Sequence, residues 1–214
     1  MKVCALAFGT LLGISLITAQ AQTSYSTQPT GCDIKIDGTS SLHDWEMEGS
    51  LIGGFIEFGP GVVLDPTQTG ITGIQGNTVS AKAKIIIPVD AIHSKADHMP
   101  DTMDRLMQQA LKESDFPRIV FVLTGLTFKG PHAVGKPFNF DATGNLAIAG
   151  KTNVVTFPVK IECPEEGKLK ISGSVPVKMT DYGVTPPAPN FGLGLMKVGE
   201  DVQIIFDWMV HKRK

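Results

Sequence analysis

Residues 77–88 read N-T-V-S-A-K-A-K-I-I-I-P. Val79, Ala81, Ala83, Ile85 and Ile87 fall on one side of an extended chain, and Thr78, Ser80, Lys82 and Lys84 on the other. Alternation with a period of two is the mark of a strand with one apolar and one wet face. The same pattern returns over 137–149 and over 168–179. There Leu169, Ile171, Val175, Val177 and Met179 oppose Lys168, Lys170, Ser172, Ser174 and Lys178. Counting outward gives eight strands, at 32–37, 42–58, 77–88, 118–128, 137–149, 152–162, 168–179 and 200–210. Turn residues separate several of them: Gly38-Thr39, Ala149-Gly150-Lys151 and Pro164-Glu165-Glu166-Gly167. One-sided polarity and short connections imply antiparallel pairing. The fold class read from this is all-β. Eight strands can close into a barrel just wide enough for side chains or one small ligand, and a β-sandwich is the structural rival.

One segment breaks the period. Met103, Leu106, Met107, Ala110 and Leu111 follow i, i+3, i+4, i+7 and i+8, the apolar stripe of a helix. Pro100 or Asp101 opens it, and Pro117 ends it by disfavouring helical backbone at Phe116. This short helix lies between the third and fourth strands. It reads either as a plug in the apolar end of a barrel or as a lid whose methionines adapt to different ligands.

The termini read as separate pieces. Lys2, the uncharged apolar stretch Val3–Ile17 and the Ala19-Gln20-Ala21 cleavage site have the layout of a secretory signal peptide over residues 1–21. Gln22 would then begin the mature chain, in the periplasm or outside the cell. Residues 22–30, rich in Ser, Thr and Gln, read as a flexible linker, 31–210 as the barrel domain and 211–214 as a basic tail. A formal charge of −2, or −3 without Lys2, argues against nucleic acid as a partner. Cys4 belongs to the leader. Cys32 and Cys163 would meet a compartment that permits disulfides. In simple strand order they lie about three strands apart, so a bridge and two free thiols both stay open.

Catalytic signatures fail on inspection. Gly144–Thr152 has five residues between its glycines where a phosphate loop needs four, and a strand follows it. Gly192-Leu193-Gly194 lacks its third glycine. Neither a nucleophile elbow nor a zincin motif occurs. His93 and His98, with Asp97 or Asp101, form a polar loop rather than a metal cage. No catalytic residue, metal or cofactor is therefore expected. His43 alternates with Trp45 and Met47 on the presumed inner face, where it reads as a hydrogen-bonded core histidine or a contact for a ligand's head.

At 38–46, G-T-S-S-L-H-D-W-E, the chain resembles the YceI-like family. L-A-I-A-G-K-T-N-V-V at 146–155 is similar to that family's hairpin. M-T-D-Y-G-V-T-P-P at 179–187, followed by Met196-Lys197-Val198-Gly199, is similar to its last hairpin, and the Met/Leu helix running into F-P-R-I-V-F fits as well. The resemblance spans about residues 31–210. It implies an exported, eight-stranded, lipocalin-like antiparallel barrel that binds polyisoprenoids or other long-chain lipids without catalysis.

In an up-and-down barrel, connections alternate between ends. Gly38–Ser41, the helix, Ala149–Thr152 and the Pro186-Pro187 loop then share one end, which is the expected ligand mouth. His43, Trp45, Met103, Leu106 and Met107 would form mouth and lid. The expected apolar lining comprises Val79, Ala81, Ala83 and Ile85, then Phe121, then Phe138, Phe140, Leu146 and Ile148. It continues with Phe157 and Val159, with Ile171, Val175 and Val177, and with Phe206. Small inward residues, Ala81, Ala83, Ala142, Gly144 and Gly173, point to interior room, because a solid core would prefer larger side chains. The expected function is to carry or store an apolar lipid such as an isoprenoid quinone or a prenyl phosphate. A structural or stress-related barrel filled by its own side chains is the alternative. Transient membrane contact and a homodimer both stay open.

Overall fold

The computed structural model describes residues 22–96, 99–187 and 197–213. The expected leader, Asp97, His98, the Gly192 loop, Met196 and Lys214 lie outside them. The strands are β1 (Thr23–Thr27), β2 (Asp33–Ser40), β3 (Trp45–Gly49), β4 (Gly53–Phe58), β5 (Ala81–Pro88) and β6 (His93–Ser94). After helix α1 (Pro100–Ala110) come β7 (Arg118–Phe128), β8 (Phe138–Ile148), β9 (Lys151–Glu162), β10 (Lys168–Lys178) and β11 (Val198–Lys212).

These segments make eight staves. β1 and β2 run in line along β11, β3 and β4 run in line beside them, and β5 and β6 continue one another. From there β7, β8, β9, β10 and β11 pair in sequence order, every pair antiparallel. The last stave returns to the first through Tyr25↔Lys212 and Thr27↔Val210, which closes the barrel. The eight-stranded reading therefore holds, with three of the staves broken. The 42–58 stave breaks at residues 50–52, and just past the break Gly54, within β4, has a φ of +141°, where an added Cβ would lie 2.0 Å from the Lys84 carbonyl oxygen. Only glycine allows the backbones to approach so closely there.

Three local readings are corrected. The supposed linker holds β1, the stave that shuts the barrel. Its Tyr25 packs edge-on against Phe58 at 6.1 Å, and Thr27 Oγ1 accepts a hydrogen bond from Trp208 Nε1 at 2.8 Å. Pairing on both sides stabilises a polar segment whose composition alone suggested a loop. His211 and Lys212 of the supposed tail extend β11 against β1 and β10. Gly38 is not in a turn. It lies within β2 because the Trp45 indole covers it, leaving no room for a Cβ. The turn comes at Ser41–Asp44, where Ser40 Oγ accepts from the Leu42 and His43 amides.

The hairpin between β8 and β9 is the tightest connection. Ala149 and Gly150 both have positive φ, +48° and +82°, the backbone of a two-residue turn that follows the strand twist. Phe116 packs on Gly150 from outside, tying the chain after α1 to this hairpin.

Below mid-height the interior is filled. Phe121 meets Phe157 at 5.3 Å, Phe157 meets Phe206 at 6.2 Å and Phe128 meets Phe140 at 5.6 Å. Each such ring pair contributes about 0.5–1.5 kcal/mol beyond its area burial. At the lower end the buried His132 ring stacks on Phe138, centroids 3.9 Å apart, and neither ring nitrogen has a hydrogen-bond partner among the described residues.

Candidate functional site: an apolar cavity beneath helix α1

The register brings inward residues from six staves to one height near the upper end: Ile36 and Met47, Ile119, Ile148, Val177, and Val202 with Ile204. Above them lie α1 and a single helical turn, Met179–Tyr182, which with Val184 and Pro187 forms the far wall. The first hairpin contributes Ser40, His43, Asp44, Trp45 and Glu46 to the rim. Together they enclose a cavity of about 640 Å³. That lies within the usual ligand-pocket range of about 300–1,000 Å³.

Helix α1 is positioned by its polar side. Pro100 occupies its first turn, where a missing N–H costs nothing. The Asp104 carboxylate accepts from the Ser94 amide at 2.5 Å and pairs with His93 Nδ1 at 2.9 Å, fastening the helix to β6. The opposite side of α1 turns Met103, Leu106, Met107, Ala110 and Leu111 to the cavity. No residue of α1 is buried. Five of the eight methionines in the sequence, Met47, Met99, Met103, Met107 and Met179, line the cavity. Unbranched thioether side chains give an adaptable wall.

Polar groups sit at the margins. Trp45, half-buried, donates from Nε1 to the Thr39 carbonyl at 3.1 Å, holding its ring between cavity and rim. Tyr182 is buried in the wall, and its hydroxyl makes no well-formed hydrogen bond among the described residues. Burial pushes its phenol above the usual value, so it stays a neutral donor. His43 is exposed, its Nδ1 2.8 Å from the Asp44 carbonyl. The core-histidine reading is thus corrected: the stave turns at 41–44, which lifts His43 out of the interior and onto the rim.

The expected mouth and lid residues, His43, Trp45, Met103, Leu106 and Met107, all border the cavity. Of the expected lining, Ile148 and Val177 do so. Val79, Ala83, Phe121, Phe138, Phe140, Leu146, Phe157, Val159, Ile171 and Val175 are buried in the packed barrel instead. Ala81, Ile85 and Phe206 are half-buried against that core. The small residues do not mark empty space throughout. A Cβ on Gly144 would fall 2.4 Å from a Phe121 ring carbon, and one on Gly173 2.8 Å from a Phe206 ring carbon. These glycines are seats for rings from neighbouring staves. Met179, Tyr182 and Val184 also line the cavity, beyond the expected lining, and the sequence signal for them is the motif M-T-D-Y-G-V at 179–184.

Cys32 and Cys163 are both free. Burial raises both thiol pKa values. Cys32 Sγ lies 3.8 Å from the Gln28 and Met209 carbonyls, and Cys163 Sγ lies 3.7 Å from that of Leu64. Of the residues weighed for a metal, His93 pairs with Asp104, while Asp97 and His98 lie outside the described residues.

The family model for the YceI-like domain matches residues 59–210. The chain belongs to the YceI-like family. The G-T-S-S-L-H-D-W-E segment of this YceI-like barrel lies before the matched range. Among solved structures, the barrel is similar to a polyisoprenoid binding domain from Saccharophagus degradans implicated in plant cell wall breakdown. That match has 12% identity, covers 88% of this chain and 98% of the other, and has a TM-score of 0.61. It is similar also to Burkholderia cenocepacia BcnA, at 17% identity, 83% and 95% coverage and a TM-score of 0.57. At these identities the likeness establishes the shared fold. No curated relative matches the sequence.

Proposed function

We propose that this YceI-like barrel is an exported carrier that holds the tail of an apolar lipid in its upper cavity. The observation that supports this reading most directly is the cavity itself: about 640 Å³, walled by aliphatic and Met side chains, and roofed by a helix with no buried residue. Apolar tails gain about 0.8 kcal/mol per buried methylene. Ten methylenes gain about 8 kcal/mol, within the roughly 4–15 kcal/mol cost of association, so a longer inserted tail binds with a surplus. His43, exposed on the rim, supplies a polar contact for a head. The polyisoprenoid binding named for the Saccharophagus domain makes a prenyl chain the first cargo to test. The walls are mainly aliphatic and Met side chains, a surface suited to binding. The rival reading, a barrel filled by its own side chains, describes the lower half, where the Phe rings meet.

The test is mass spectrometry of an organic extract of protein purified from its native source. A prenyl or other long-chain lipid at near one per chain is expected, and a lipid-free protein that also takes up none in solution refutes the proposal. Export is part of it. Residues 1–21 read as a leader, so the N-terminus of envelope-fraction protein should begin at Gln22. An intact Met1 removes the argument for secretion.

A further inference from the structure

The cavity ends above a layer built from three rings. One pleat below the lining residue Ile119 on β7 lies Phe121, and one pleat below Ile204 on β11 lies Phe206. Phe157, from β9 between them, touches both, its plane at 63° to Phe121 and 88° to Phe206. The intervening staves β8 and β10 carry Gly144 and Gly173 where these rings come to rest. Around five successive staves the layer therefore reads Phe, Gly, Phe, Gly, Phe. A second aromatic tier, Phe128 with Phe140 and Tyr25 with Phe58, lies beneath it.

We propose that the Phe121–Phe157–Phe206 layer is a floor that sets the length of chain the barrel accepts. This rests on the lipid-carrier reading above. A water-sized group occupies about 30 Å³ of liquid, so a cavity of about 640 Å³ has room for about twenty chain atoms. The cargo class that fits is an apolar chain of up to about four isoprene units. A longer chain leaves its excess outside the mouth, where added units contribute no burial.

The test uses the full, delipidated chain and prenyl phosphates of two to nine isoprene units, below their micelle concentration. The phosphate serves only to keep them in solution. Quenching of Trp45, in the cavity wall, reads binding. Affinity should rise at least tenfold with each unit up to four, then change by less than about threefold up to nine. Phe206→Ala, or Phe206→Leu if the first variant does not fold, lowers the floor and should move the plateau to longer chains. Val177→Phe, which narrows the cavity from its wall, should move it to shorter ones. A wild-type affinity that climbs steadily to nine units overturns the floor while leaving the carrier function standing. A plateau that ignores both sets of substitutions also overturns it. Failure of every chain length to bind overturns the carrier reading and the inference with it.

Discussion

Replacing Met103 and Met107 together with Ser probes whether α1 is a lid or a fixed plug. Both side chains are partly buried and face the cavity, so each keeps up to about a third of its surface for a ligand to cover. Complete burial of a Met side chain stabilises by about 1.5–3 kcal/mol. The ligand-dependent part is therefore about 0.5–1 kcal/mol for each residue and about 1–2 kcal/mol for the pair. That corresponds to roughly a five- to thirtyfold loss of affinity. Global stability should respond much less. Among the strands, α1 packs chiefly on β6, and an eleven-residue helix with no buried residue can come away as a local opening while the staves stay paired. The melting temperature followed by strand circular dichroism should shift by less than about 2 °C, the equivalent of under 1 kcal/mol in a chain of this size. Binding is read from Trp45, while Trp208, buried at 1% exposure and held by Thr27, serves as an internal reference. Hydrogen exchange completes the assay. Amides of α1 should exchange faster than those of β7 and β8 without ligand and slow when ligand binds. If α1 is as protected as the strands in both states, or melting falls in step with affinity, the helix is a plug and the lid reasoning fails.

Ala83 and Val177 form a contrasting pair. Ala83 is buried in the packed wall opposite Ile56, so Ala83→Trp should overpack and cost roughly 1–3 kcal/mol in urea unfolding, whereas Val177→Trp should enter the cavity and abolish lipid binding with the fold retained. Equal stability losses for the two would contradict the placement of the cavity. Gly144→Val should likewise destabilise by at least about 1 kcal/mol, because its Cβ meets both the Phe121 ring and the Val122 carbonyl oxygen, 2.5 Å away; an unchanged urea midpoint would show that the ring has other room. The two thiols provide a pH test. Burial raises both pKa values above the usual 9.0, so the reactive thiolate appears at higher pH in the folded protein than in the unfolded one. Alkylation at pH 8 should be slow when native and reach two adducts on Cys32 and Cys163 after denaturation without reductant; a single mass with no adduct would reveal a disulfide.

The stave count and the helix were legible in the sequence because each rests on a local repeat. Alternation over 77–88, 137–149 and 168–179 fixes which side of each stave faces inward, whatever its neighbours are. The stripe from Met103 to Leu111 does the same for α1. Pairing is not local. The Ser/Thr-rich run at 23–27 becomes a strand only because β4 and β11 both present free edges to it, and His211 and Lys212 remain extended for the same reason. Gly38 looked like a turn because the indole that covers it comes from the next strand. The division of the interior into an empty upper part and a filled lower part depends most on the tertiary structure. Inward-facing Ala and Gly were correctly placed on the apolar side, but the space above a small residue belongs to whichever side chain a neighbouring stave holds at that height. For Gly144 and Gly173 that neighbour is a phenylalanine ring. Near Ile148 and Val177 the neighbours are aliphatic and Met side chains that leave a void. Height is set by the register between staves, and register follows from closing the barrel as a whole, so no single strand carries the information that locates the cavity.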